Sequence, residues 1–126
     1  MESILADTNA LIRLLGGDTL VAEIIDGKIV FISEMTEMEL LCKPNQTKEQ
    51  KDVIAKLLSD CIIIPFSPEI KQQAIKVRLT TRLKLVDAIV AATAMMLEVA
   101  ILTNDESFGS LKNMADVLLL PNYPAK

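Results

Sequence analysis

LVDAIVAATAMMLEVAILTND, residues 85–105, decides how this chain is read. From Asp87 to Glu98 the segment has the length of a helix, with Thr93 as the single polar residue between those two acids. Apolar side chains run nearly all round it, the pattern of a buried helix. Ala100–Thr103 (AILT) is short and apolar, which reads as a strand buried on both faces. Asn104 and Asp105 then stand at the strand's carboxyl end. Asp87 and Glu98 interrupt the longest apolar stretch, Leu85 to Leu102, so it is not read as a membrane span.

The same alternation extends outward in both directions. Ser3–Ala6 reads as a first strand, running into Asp7-Thr8-Asn9 and a helix over Ala10–Leu15 that Gly16-Gly17 stops. A short helix, Thr19–Ile25, closes at Asp26-Gly27, and Ile29–Ile32 (IVFI) reads as a second buried strand. Ser33 supplies an N-cap for a helix from Glu34 to Cys42, which Pro44-Asn45 breaks. Thr47 caps a helix to Ser59, and Cys61–Ile64 reads as a third buried strand. Pro68 suits the first position of a helix reaching Leu79. Val117–Leu120 reads as a fifth strand, ended by Pro121. Short apolar runs alternating with helices predict the α/β class, a parallel sheet covered on both faces. The 126 residues suit one domain over 1–126, with no repeat or linker.

Composition narrows the function. The chain is 51% hydrophobic with mean hydropathy +0.37, enough for a full core and some surplus apolar surface. It has no Trp and no His. Scarce aromatics argue against a stacking platform for single-stranded nucleic acid. The net charge of −4 argues against a protein that coats nucleic acid. The charge is uneven, however. Lys71–Lys84 carries Lys71, Lys76, Arg78, Arg82 and Lys84 and no acid, a local +5 that leaves −9 for the remainder. Such a strip can grip phosphates, and equally can be a solvated helix face. Cys42 and Cys61 have no partners at metal-ligand spacing and read as two buried free thiols, which fits a reducing cytoplasm. MESILADTN offers no basic n-region and no long apolar run, so no signal peptide is expected.

Four carboxylates hold the chemical interest. Asp7 ends the first strand and Asp105 follows the fourth by one residue, so both belong at the edge where open parallel sheets bind ligands. Taken singly, each reads first as a helix or turn cap. Glu39 lies at plus four from Met35, plus one from Met38 and minus three from Cys42, which puts it on or beside the helix's apolar face. Glu34 and Glu37 are better placed for solvent. A carboxylate directed inward needs a partner, either a cation or a basic side chain. Asp87 opens an otherwise uncharged helix, where an acid is costly unless it caps or ligates. Three or four carboxylates without His or Cys match the oxygen preference of Mg²⁺ or Mn²⁺ and disfavour Zn²⁺.

These residues carry a resemblance. LADTNALIRLL, FISEMTEMELL, LVDAIVAATAMMLEVAILTNDESF and the closing VLLLP are similar, in that order, to the PIN-domain ribonucleases and, among them, to the VapC-type toxins of bacterial toxin–antitoxin pairs. The resemblance spans essentially the whole chain. It implies an α/β/α sandwich in three layers around a parallel sheet of about five strands. It implies that Asp7, Glu39, Asp87 and Asp105 hold Mg²⁺ or Mn²⁺, with Glu106 the alternative to Asp105. It places Asn9, Thr103 and Asn104 as supporting polar residues. It implies a homodimer, inhibited by a cognate antitoxin whose tail lies along a groove leading to the active site.

The expected activity is metal-dependent hydrolysis of RNA phosphodiester bonds, leaving a 5′-phosphate and a 3′-hydroxyl as the resemblance implies. Asp7 or Asp87 would orient the attacking water, and Arg78, Arg82 and Lys84 would deliver the RNA backbone. The competing expectation is a PIN-like module that binds RNA or protein without cutting. A receiver domain would need a phospho-acceptor Asp after strand three, where Pro65-Phe66-Ser67 stands. A haloacid-type phosphatase would need Asp at the position of Asn9.

Overall fold

The computed structural model describes residues 2–123. Its elements run β1 (Ser3–Ala6), α1 (Thr8–Leu15), α2 (Thr19–Ile25), β2 (Ile29–Ser33), α3 (Glu34–Leu41), α4 (Lys48–Ser59), β3 (Ile62–Ile64), α5 (Pro68–Thr80), α6 (Leu85–Leu97), β4 (Ala100–Thr103), a 3₁₀ segment (Glu106–Met114) and β5 (Val117–Leu119). The sheet has five strands in the order β3-β2-β1-β4-β5, every neighbouring pair parallel.

Period-two alternation along the central strands divides the core between the faces. Ile4, Ala6, Val30, Ile32 and Leu102 pack with Leu11 of α1, Val21 of α2, Leu40 of α3 and Ile54 of α4. Leu5 and Ile101 point the other way, to Val77 of α5, Ala88 and Ala91 of α6, and Phe108 and Leu111 of the 3₁₀ segment. The register pairs Ile4 with Val30 and Ala100, and Leu5 with Phe31 and Ile101, so the alternation stays in phase across the sheet. Helices cover both faces, the three-layer arrangement expected of the sequence.

Three expectations change. Cys61–Ile64 is not a fully buried strand: β3 starts at Ile62, lies on the sheet edge and leaves Ile62 48% exposed. The α6 helix starts at Leu85, two residues before Asp87, and its first turn is open, with Leu85 58% exposed. Cys42, read as buried, is exposed because α3 ends beside it, and Cys61 is half-buried; both are free thiols. Among the described residues no helix is long and apolar enough to cross a membrane.

Topology fixes where ligands can approach. From β1 the chain steps outward to β2 and β3, then crosses back to lay β4 on the other side of β1. The strand order therefore reverses between β1 and β4. Adjacent loops diverge at such a switch point and open a crevice at the carboxyl ends of the strands.

Candidate active site

Asp7 occupies that crevice. It is the N-cap of α1 and only 5% exposed, and its backbone N–H donates to the Leu102 carbonyl at 3.1 Å. The Ala10 N–H donates to Oδ1 at 2.9 Å, and the Thr103 hydroxyl donates to Oδ2. The capping role read for Asp7 is thus real, but it uses one oxygen and leaves the other facing β4. The Thr103 Oγ1 also accepts the Asp105 N–H at 3.0 Å, so one buried hydroxyl ties the ends of β1 and β4 together. Asp105 caps the 3₁₀ segment, where Oδ1 accepts from the Ser107 N–H at 2.9 Å and the Ser107 hydroxyl at 2.7 Å.

Glu39 is corrected in its surroundings. The buried face of α3 is made by Thr36 and Leu40, and Met38 is 51% exposed. Glu39 itself is exposed and is not aimed into the core. It borders the crevice, and the Thr8 hydroxyl donates to its Oε1 at 2.6 Å. Thr8 also reaches Thr36 Oγ1, at 3.4 Å. Asp87 sits in the first turn of α6, whose cap position, Lys84, makes no side-chain cap bond. The helix dipole favours an acid there, but Asp87 is not the cap. Asp7, Thr8, Asn9, Ile12, Glu39, Lys43, Asp87 and Val90 line one cleft of about 240 Å³.

Electrostatics couples all four acids. Burial, followed by the charges of Asp105, Asp7 and Glu39, pushes the Asp87 carboxyl up to about 6, with Lys84 pulling weakly the other way. Burial also raises Asp7, against the hydrogen bonds from Thr103 and Ala10 that favour its ionised form. Like charges gathered in a partly dry cleft raise one another's pKa unless a cation joins them. Among the described residues, however, no three acidic or thiol side chains converge as a ready-made cage for one ion. The bonds above explain this: Thr8 holds Glu39, Thr103 and Ala10 hold Asp7, and Ser107 holds Asp105.

A family model described as PIN domain matches residues 4–114. The chain belongs to the PIN domain family. Its structure is similar to a toxin–antitoxin complex from Klebsiella pneumoniae, with 27% identity and a TM-score of 0.77 over 91% of this chain and 95% of that one. VapBC-1 from nontypeable Haemophilus influenzae gives a TM-score of 0.80 at 18% identity, covering 93% of this chain and 97% of that one. FitAcB from Neisseria gonorrhoeae gives 0.69 at 23%, covering 90% and 95%. At those two identities the likeness is one of fold. No curated protein matches the chain.

The remaining expected residues of this PIN domain divide. Asn9 lines the acidic cleft beside Asp7. Asn104 turns away and lines a neighbouring polar cavity with Arg13, Asp18, Asn122 and Tyr123. Glu106 is exposed in the first turn of the 3₁₀ segment. Arg78, Arg82 and Lys84 are all exposed, and Lys84 is close enough to act on Asp87. Sequence reasoning missed Thr8 and Lys43. Thr8 had a signal, since it sits inside the Asp7-Thr8-Asn9 triplet. Lys43 had none, because only the end of α3 brings it to the cleft.

Proposed function

We propose that this PIN domain, comprising the whole chain, is a Mg²⁺- or Mn²⁺-dependent endoribonuclease and the toxin of a toxin–antitoxin pair, acting in the cytoplasm. One observation carries the reading: carboxylates from three separate elements line one cleft at the switch point, and a fourth, Asp105, acts electrostatically on Asp7 and Asp87. The donor chemistry fits a hard cation, because every ligand on offer is an oxygen and no imidazole or thiol competes. Asp7, Glu39, Asp87 and Asp105 are the residues that would hold it. Glu39 and Asp105 are open enough to rotate away from Thr8 and Ser107 toward a metal. Bound there, Mg²⁺ would lower the pKa of a coordinated water and neutralise charge on the scissile phosphate.

The chain's own residues supply the rest. Asp7, fixed by two hydrogen bonds, is the rigid carboxylate that orients the attacking water. Asp87, in the first turn of α6 on the same cleft, is the second carboxylate placed to orient that water or accept its proton. Lys84, Arg82 and Arg78 form an exposed basic approach from the α5–α6 side for the RNA backbone.

The partner reading follows the structural neighbours, among them a toxin–antitoxin complex and a member of the VapBC family of toxin–antitoxin systems. An open groove of about 550 Å³, lined by Ile12, Leu15, Leu40, Val53 and Ile54 among others, adjoins the acidic cleft and shares Ile12 and Lys43 with it. An antitoxin tail laid there would reach the carboxylates. Exposed apolar residues such as Leu79 and Leu85 are available to a homodimer.

The test is cleavage of a labelled RNA by wild type and Asp7→Asn in Mg²⁺, with EDTA as control. Cleavage by wild type that EDTA and the substitution both abolish, with unchanged circular dichroism, supports the reading. Equal cleavage by Asp7→Asn ends it. A wild-type chain that takes up no Mn²⁺ at millimolar concentration in calorimetry returns the protein to the non-cutting module.

A further inference from the structure

We propose that Asn122, held in place by Arg13, is a positioning residue for the acidic site, so that the segment Leu120–Tyr123 braces the loop that presents Asp105. This inference rests on the reading of the carboxylates given above. Besides the bonds that Asp105 makes with Thr103 and Ser107, the loop after β4 is bridged to the chain that leaves β5. The Leu120 N–H donates to the Thr103 carbonyl at 2.7 Å, and Leu120 is buried. Two residues on, Asn104 and Asn122 pair reciprocally. The Asn104 Nδ2 donates to Asn122 Oδ1 at 3.1 Å, and the Asn122 Nδ2 donates to the Asn104 carbonyl at 3.1 Å. Asn104 lies between Thr103, which bonds Asp7, and Asp105, whose N–H bonds Thr103. Fixing the Asn104 carbonyl therefore fixes the peptide from which Asp105 departs.

The brace is anchored at its far end as well. Arg13 Nη1 donates to the Pro121 carbonyl at 2.8 Å, and the guanidinium lies over the Tyr123 ring at 5.0 Å from its centroid. Asp18 orients Arg13 through Nε at 2.8 Å and Nη2 at 2.7 Å, while its other oxygen caps α2. A planar guanidinium committed to a carboxylate, a carbonyl and a ring has little freedom left. The end of α1 is thereby linked through the C-terminal segment to the loop carrying Asp105. None of these residues lines the cleft of Asp7, Glu39 and Asp87, so their effect is on position and not on chemistry.

The experiment compares wild type, Asn122→Ala and Asn122→Asp in the full chain. The readouts are amide hydrogen exchange without metal, Mn²⁺ affinity by calorimetry, and kcat and KM for RNA cleavage. Exchange at Asp105 and Ser107 should rise about tenfold in Asn122→Ala while α4 and α5 stay protected, and Mn²⁺ affinity should fall about tenfold. The loss of activity should lie in kcat and leave KM unchanged. Asn122→Asp keeps an acceptor for Asn104 Nδ2 and should fall between the other two. Wild-type exchange at Asp105 in Asn122→Ala overturns the inference, as does loss of protection spread evenly through α4 and α5. If wild type binds no Mn²⁺ and cuts no RNA, the functional reading fails while the exchange result still decides whether the brace exists.

Discussion

Asp87→Asn gives the sharpest test of the electrostatics, because it separates the stability of the chain from its activity. In the folded protein the Asp87 carboxyl titrates near 6, against an ordinary 3.8, mainly through burial and then through the charges of Asp105, Asp7 and Glu39. Between roughly pH 4 and pH 6 the folded state binds more protons at this site than the unfolded chain does. Stability at this site is therefore fully present below about pH 4 and is lost as pH rises through 6. A gap of roughly two pH units corresponds to roughly 3 kcal/mol at 1.36 kcal/mol each. Asp87 is about half open to water, and screening reduces this to about 1 kcal/mol. The neutral amide of Asn removes that cost at neutral pH. In EDTA at pH 7.5, Asp87→Asn should melt about 4 °C above wild type, and the gain should vanish by pH 4. The same variant should not cut RNA. Thermal unfolding followed by circular dichroism at pH 4, 5, 6 and 7.5 measures both limits. A variant that melts at or below wild type at pH 7.5, or a gain independent of pH, refutes the claim that burial and the neighbouring carboxylates hold the Asp87 pKa above its ordinary value.

The other expectations follow the same geometry. Mn²⁺ at a hundredfold excess over its dissociation constant should stabilise wild type at pH 7.5 by about 2.7 kcal/mol in thermal unfolding, and Asp87→Asn by clearly less. Thr103→Val removes the hydroxyl shared by Asp7 and Asp105 and leaves a buried carboxylate oxygen short of a donor; chemical denaturation should show a loss of about 1–3 kcal/mol. Arg82→Ala and Lys84→Ala should each weaken RNA binding and lower the salt slope of the affinity by roughly 0.7, the value for one single-strand phosphate contact, in fluorescence titrations over a salt series.

Much of the fold was open to reading in the sequence, and so were three carboxylates, Asp7, Glu39 and Asp87, that the fold brings to one cleft. Ser3–Ala6, Ile29–Ile32 and Ala100–Thr103 are short β-branched or apolar runs closed by polar residues, the pattern of strands buried on both faces of a parallel sheet. Asp7 and Asp105 stand at strand ends by count alone. The misreadings came where burial depends on distant neighbours. Cys61–Ile64 is as apolar as any central strand, yet strand order puts β3 at the edge. Glu39 was placed on or beside the apolar face by its Met neighbours, but α3 packs through Thr36 and Leu40 and leaves Glu39 exposed.

What the sequence determined by itself is the local part: the alternation of strands and helices, the caps at Asp7, Ser33 and Thr47, and the supply of carboxylates without histidine. Each depends on a residue and its near neighbours along the chain. Tertiary structure alone decided that β4 returns beside β1, that Thr8 meets Glu39 across 31 positions, that Thr103 meets Asp7 across 96, and that Asn122 ties down Asn104. Those pairings depend on which strand lies beside which. The packing of the whole apolar set fixes that order, and no local pattern encodes it.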